Sequence, residues 1–120
     1  METTLVNKIR KALEKEYNGS YYKIHGGPYQ STGMSDIIGI QKSRQQKGEF
    51  VAIEVKLPSN KKGPWKNGVT ARQDLFLLEI EAQGGKCGIA RTIEEALKIA
   101  SGTLIYAGSG VNRLKFNKKR

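Results

Sequence analysis

The chain has 120 residues with 21 Lys plus Arg against 11 Asp plus Glu, a formal charge of +10, which allows one compact domain with a modest core and excludes a multidomain reading. Hydrophobic residues make up 38% and mean hydropathy is -0.53, so a folded domain is expected rather than a disordered tail, and the pI near 9.8 points to a polyanionic partner, nucleic acid first. A single cysteine, Cys87, and a single histidine, His25, exclude a disulfide framework and a thiolate metal cluster; no apolar run approaches the roughly 18 residues of a membrane span and METTLVNKIRK is unlike a signal peptide, so a cytoplasmic protein without membrane contact is expected.

Leu5, Val6, Ile9, Ala12 and Leu13 recur at helical spacing, which predicts a helix over 2–17 ended by Asn18-Gly19. SYYKIH (20–25) alternates as a strand does, and Gly26-Gly27-Pro28 ends it. Two further β-rich runs, MSDIIGIQ (34–41) and EFVAIEVK (49–56), flank the polar KSRQQKG and read as a hairpin. LPSNKKGPWKNGV (57–69) is a long loop, and loops of that length in small domains tend to be functional. Thr70 opens a helix whose apolar positions nearly encircle it, so burial on most sides is expected, with Gly84-Gly85 as its end. KCGIA (86–90) is a short strand in which Cys87 reads as a small buried hydrophobe. Thr92 caps a third helix, TLIYA (103–107) offers a last strand, and the acid-free 109–120 reads as a basic tail beyond a domain of residues 1–108. The order αβββαβα(β) is an α/β domain with a sheet flanked by helices.

The hairpin carries the sharpest chemical inference. With its turn centred on Gln45, Phe50 faces Ile40, Ala52 faces Ile38 and Glu54 faces Asp36. Directly opposed Cβ atoms lie about 4.5–5.5 Å apart, and like charges there repel, so a cation between them is the simplest way to hold the pair. Alternation puts Lys56 on the same face as Glu54. Carboxylate oxygens without His or Cys suit a hard ion, Mg²⁺ with Mn²⁺ as substitute, which takes one or two carboxylates, waters and substrate phosphate oxygens. Such an ion activates water toward a phosphodiester, and Lys56 would orient that water or neutralise the developing charge, which is nuclease chemistry.

Asp36, then Glu54-Val55-Lys56 at the end of an apolar strand, a preceding helix, and Gln73 in the next helix together resemble the PD-(D/E)XK nuclease superfamily. Over roughly residues 2–100 the chain is most similar to VRR-NUC domains and next to archaeal-type Holliday junction resolvases. Glu2 fits the helix-1 glutamate of VRR-NUC domains, because Leu5, Ile9 and Leu13 follow it at that family's spacing. The resemblance implies a restriction-endonuclease-like fold with a mixed central sheet, and metal ligation by Asp36, Glu54 and the Val55 carbonyl, with Glu2 as a further candidate. It also implies a catalytic Lys56 assisted by Gln73, a homodimer, and a phage or prophage type of enzyme. Ser35 stands where the family usually has Pro, and the last twenty residues have no counterpart.

Competing readings accompany these candidates. Gln73 also completes a capping box with Thr70, and Glu2 is an acid of the kind favoured near a helix N-terminus. Asp36 and Glu54 could instead be surface acids, Glu54 pairing with Lys56. His25 is a candidate phosphate contact, while Trp65 would stack on an exposed base or anchor its loop. Lys61, Lys62, Lys66 and Arg72 lead away from the catalytic strand without an intervening acid, which proposes a phosphate path rather than a solvated loop. The expected activity is a Mg²⁺-dependent DNA endonuclease selective for branched DNA; the alternative is a non-catalytic basic nucleic-acid-binding module on the same scaffold.

Overall fold

The computed structural model describes residues 2–24, 34–57 and 68–116, with side chains from residue 4 onward in the first stretch. Along the chain run α1 (Glu2–Glu16), β1 (Gly19–Lys23), β2 (Ile37–Lys42), β3 (Gly48–Val55), α2 (Ala71–Ala82), β4 (Lys86–Ala90), α3 (Ile93–Ser101), β5 (Leu104–Gly108) and β6 (Val111–Leu114). The first four strands form one sheet in the order β1-β2-β3-β4, and β5 and β6 form a separate ribbon. β1, β2 and β3 are an antiparallel meander, whereas β4 joins β3 in parallel. That parallel step needs a crossover, and α2 supplies it. The chain is therefore an α/β domain with a mixed sheet flanked by helices, as its pattern of elements predicts.

Both faces of the sheet are covered, which explains why β3 reads as a nearly continuous apolar run. On one face α1 and α3 pack Val6, Ile9, Leu13, Ala96 and Ile99 against Ile37, Val51, Ile53 and Val55. On the other, Leu77 of α2 and Tyr106 of β5 pack against Ala52, Cys87 and Ile89. Cys87 is buried, its thiol donates to the Leu77 carbonyl at 3.2 Å, and burial pushes its pKa up to about 12. It is the inert core residue that its surroundings predict. Gly39 is required where it stands, because an added Cβ would lie 2.6 Å from both the Ser20 carbonyl oxygen and the Tyr21 ring.

Helix α2 departs from expectation. Of its apolar residues Leu77 is buried, while Leu75 and Leu78 are 58% and 39% exposed. The helix meets the sheet and β5 along one side, and no described element covers the opposite side, so a ring of apolar residues yields only a buried stripe.

The second departure concerns the chain end. Residues from 109 read as a tail, but Val111–Leu114 form β6, antiparallel to β5. The Asn112 amide then acts as a one-residue strand on the free edge of β4. Its Oδ1 accepts from the Ile89 N–H at 3.0 Å, and its Nδ2 donates to the Ile89 carbonyl at 2.7 Å. A bare edge presents unpaired backbone groups, and this contact closes it at one residue. Four residues with one inward amide carry no alternating apolar signal, which is why the strand is invisible in the sequence. Asn112→Ala leaves both Ile89 groups without that partner and should destabilise the domain by about 1–3 kcal/mol. A urea titration reads this as a lower midpoint; an unchanged midpoint would mean that water satisfies the edge equally well.

Candidate active site

The observed β2–β3 register pairs Ile37 with Ile53, Ile38 with Ala52 and Ile40 with Phe50, the expected pairing. It is set by a turn in which Ser43 N–H donates to the Lys47 carbonyl at 2.8 Å and Gln46 N–H to the Ser43 carbonyl at 2.9 Å. One residue before β2, the register places Asp36 opposite Glu54. Asp36 lies outside the strand yet stays in the sheet, its carbonyl accepting from the Ile24 N–H at 2.8 Å. Its carboxylate Oδ2 accepts from the Val55 N–H at 2.8 Å, so a side chain finishes the ladder where β2 has ended. The N–H and C=O of one strand residue share an edge, which puts the Val55 carbonyl on the Asp36 side as well.

Glu54 is 3% exposed and Lys56 is 8% exposed, so neither is a surface residue. Lys56 Nζ lies 3.5 Å from Glu54 Oε2, and Gln73 Nε2 donates to the same oxygen at 3.1 Å. The capping box of α2 is also formed: Gln73 N–H donates to Thr70 Oγ1 at 3.1 Å, and Gln73 Oε1 accepts from Thr70 N–H at 3.0 Å. Gln73 thus closes the capping box with its carbonyl end while its amide end bonds Glu54. The other Glu54 oxygen, Oε1, is buried and has no hydrogen-bond partner among the described residues.

Burial first, and then the Asp36 carboxylate beside it, push the Glu54 carboxyl up to about 8 against the pull of the Lys56 ammonium. An orphaned carboxylate oxygen in a dry site, next to a second carboxylate, needs a proton or a cation. A hard divalent ion fits this donor set, since Mg²⁺ is commonly held by one or two carboxylates with the remaining positions left to water and phosphate. Asp36, Glu54 and the Val55 carbonyl are the groups that would hold it. Among the described residues no cluster of three or more His, Cys, Asp and Glu forms.

Strand β4 builds the far wall. Lys56 N–H donates to the Ala90 carbonyl at 3.0 Å, which extends the parallel ladder past the end of β3. Arg91 Nη1 then donates to the Leu57 carbonyl at 2.8 Å. The backbone on both sides of the Lys56 side chain is therefore tied to β4. Arg91 did not stand out in the sequence, although a basic residue directly after a strand parallel to β3 must lie at the same end of the sheet as Lys56. Ser35, at the position where the resembling family has Pro, is 1% exposed and its hydroxyl has no partner among the described residues.

Asp36, Val55, Glu54, Lys56 and Gln73 are thus brought together at one end of β3. Arg72, exposed on the first turn of α2, neighbours Gln73 in the chain. Glu2 opens α1, but its side chain lies outside the described residues, as do His25, Lys61, Lys62, Trp65 and Lys66. Against known protein families and curated protein sequences, the chain matches no family and no sequence.

Because the folded pKa of Glu54 lies above its ordinary value of 4.5, its contribution to stability is fully present below about pH 4.5 and is lost as pH rises through about 8. In the absence of divalent ions, Glu54→Gln should remove that loss. The variant should then unfold at a temperature several degrees above wild type at alkaline pH, with the difference shrinking toward pH 4.5. Thermal melts in chelator across this range check it; parallel pH profiles for the two proteins would place Glu54 in contact with water.

Proposed function

We propose that this protein is a divalent-metal-dependent DNA endonuclease of the VRR-NUC type within the PD-(D/E)XK superfamily, acting on branched DNA. The observation that carries the reading is the facing of Asp36 and Glu54 at a strand end, with a buried, unpartnered Glu54 oxygen and Lys56 beside it. A charge of +10 supplies the complementary attraction to a phosphate backbone.

In this reading Asp36 and Glu54 hold Mg²⁺, or Mn²⁺ in its place, together with the Val55 carbonyl. When bound, the ion supplies a lowered water pKa and shields the charge of the attacked phosphodiester. Gln73 keeps Glu54 in position through its amide. Lys56 places its ammonium where charge develops, on the attacking or the phosphoryl oxygen, and its tethered backbone makes that placement pre-formed. Water oxygen bonds to phosphorus, the bond to the leaving sugar oxygen breaks, and the proton released by water ends on the leaving oxygen or in solvent. The described residues hold one such set, paired cuts in a branched duplex would take two, and a homodimer is part of the proposal. The resemblance that suggests DNA branches also suggests a phage or prophage enzyme working in the cytoplasm; no helix among the described residues is long and apolar enough to cross a membrane.

The test is incubation with a supercoiled plasmid and a four-way junction, with and without Mg²⁺. Wild type should cut only with metal, and Asp36→Asn should bind DNA while failing to cut. A DNA mobility shift without cleavage under every metal tested would assign the protein to non-catalytic binding instead. Lys56→Ala should keep DNA binding and lose roughly 10²-fold or more in single-turnover rate, the scale of removing one preorganised charge-stabilising donor. An unchanged rate in that variant would leave Lys56 as a counter-ion of Glu54 alone.

A further inference from the structure

A second recess lies at the opposite end of the sheet. Glu49, near the start of β3, borders it, and Glu49 and Glu54 are separated by about 17 Å along the strand at roughly 3.4 Å per residue. Its volume is about 440 Å³, and it lies between the β2–β3 turn, the end of α3 and the residues after β6. That volume falls in the range of small-ligand sites, roughly 300–1,000 Å³.

The charges within it are not equivalent. Glu49 is fully engaged: Oε1 accepts from Gln41 Nε2 at 3.1 Å and Oε2 from Lys86 Nζ at 2.8 Å. Burial raises its pKa, but those bonds and the nearby Lys115 charge outweigh it and leave the carboxyl below its ordinary value. Gln41 is itself 3% exposed and is held by the Ala100 carbonyl and the Tyr21 hydroxyl, so the Glu49–Lys86 pair is anchored to the core. The negative end of α3 is also closed, since Gly102 N–H and Thr103 N–H donate to the carbonyls of Ile99 and Lys98. Neutralised pair and capped helix leave two further cations in the recess, Arg44 and Lys115, both on exposed residues and neither in a salt bridge among the described residues.

An aromatic face stands beside them. Phe116 is 77% exposed, and Lys115 Nζ lies 5.5 Å from its ring centroid. The segment is fixed from behind, because Lys115 N–H donates to the Thr103 carbonyl at 2.9 Å. Across the opening, the Ser101 hydroxyl donates to the Lys98 carbonyl at 3.0 Å and lies 2.9 Å from the Thr103 hydroxyl, so this rim of the recess is internally bonded. Cations that bind a phosphate beside an exposed aromatic ring are the parts from which base-independent recognition of an unpaired nucleotide is made.

We propose that this recess binds a nucleotide unit: Arg44 and Lys115 take the phosphate, and Phe116 stacks on the base. The unit comes either from an unpaired stretch of a nucleic-acid strand or from a free mononucleotide. The strand source rests on the nucleic-acid function proposed above; the recess itself does not.

The experiment measures binding of a fluorescently labelled short oligothymidylate by anisotropy, in chelator so that no cleavage intervenes. An abasic strand of equal length and unlabelled thymidine monophosphate serve as probes. Phe116→Ala should weaken oligothymidylate binding about fivefold to 100-fold, the scale of one stacked base. It should also abolish the preference of wild type for the based over the abasic strand, whereas Phe116→Tyr should keep that preference. Arg44→Ala combined with Lys115→Ala should flatten the dependence of log K on log salt by about 0.7 for each single-strand phosphate that the variant no longer neutralises. All these side chains are exposed, so unchanged melting temperatures confirm that the variants fold. Displacement of the strand by thymidine monophosphate assigns a free nucleotide as sufficient ligand, and its failure assigns the strand; both uphold the recess. Wild-type affinity in Phe116→Ala, or an equally large weakening by Phe116→Ala on the abasic strand, overturns it. A failure here with metal-dependent cleavage intact removes the recess alone, and absence of cleavage with this binding intact removes only the nuclease reading.

Discussion

The hydrogen bond from the Val55 N–H to Asp36 Oδ2 is the contact on which the candidate site depends. It joins the end of one strand to a residue that has already left its neighbour, and so brings a carboxylate to the place where Glu54 emerges from β3. The arrangement opposes ordinary sheet energetics. Two acids stand side by side with one nearly sealed from water, and the pKa of Glu54 rises accordingly. Ionising Glu54 beside Asp36 costs the fold stability as pH rises through about 8, so the pair is held in place by its surroundings.

Those surroundings come from three directions. The antiparallel meander sets the register, the parallel crossover returns the chain so that the start of α2 faces Glu54, and β4 supplies the carbonyl and guanidinium bonds that tether the backbone around Lys56. Edge protection is part of the same design. The Asn112 amide occupies the outer side of β4 at Ile89, the residue whose partner in register is Glu54. Loss of order in that short ribbon would therefore be felt one strand away from the carboxylates.

The sequence made the hairpin legible because alternation on both arms and a polar turn admit one register that buries the apolar side chains, and Asp36 and Glu54 follow from it by counting. The capping box was equally readable, since its two residues are local. What could not be read depended on contacts between distant segments. Whether Leu75 and Leu78 are buried depends on which elements reach α2, and the role of Asn112 depends on the exposed edge of β4. The pairing of Glu49 with Lys86 across 37 positions is of the same kind, and so is the grip of Arg91 on Leu57. The unusual ionisation of Glu54 follows from burial, which composition near the residue hints at without determining.

Every step proposed for the site requires that Asp36 and Glu54 form a divalent-cation site. Titration calorimetry of Mn²⁺ into the metal-free protein at neutral pH, repeated in buffers of different ionisation enthalpy, measures both the binding and the protons it releases. A Glu54 carboxyl with a pKa of about 8 is largely protonated there, and a cation must displace its proton. Binding is expected with close to one proton released per ion, and both signals should vanish in Glu54→Gln. Binding of equal strength in that variant, or binding without proton release in wild type, would mean that the ion does not sit on this carboxylate pair.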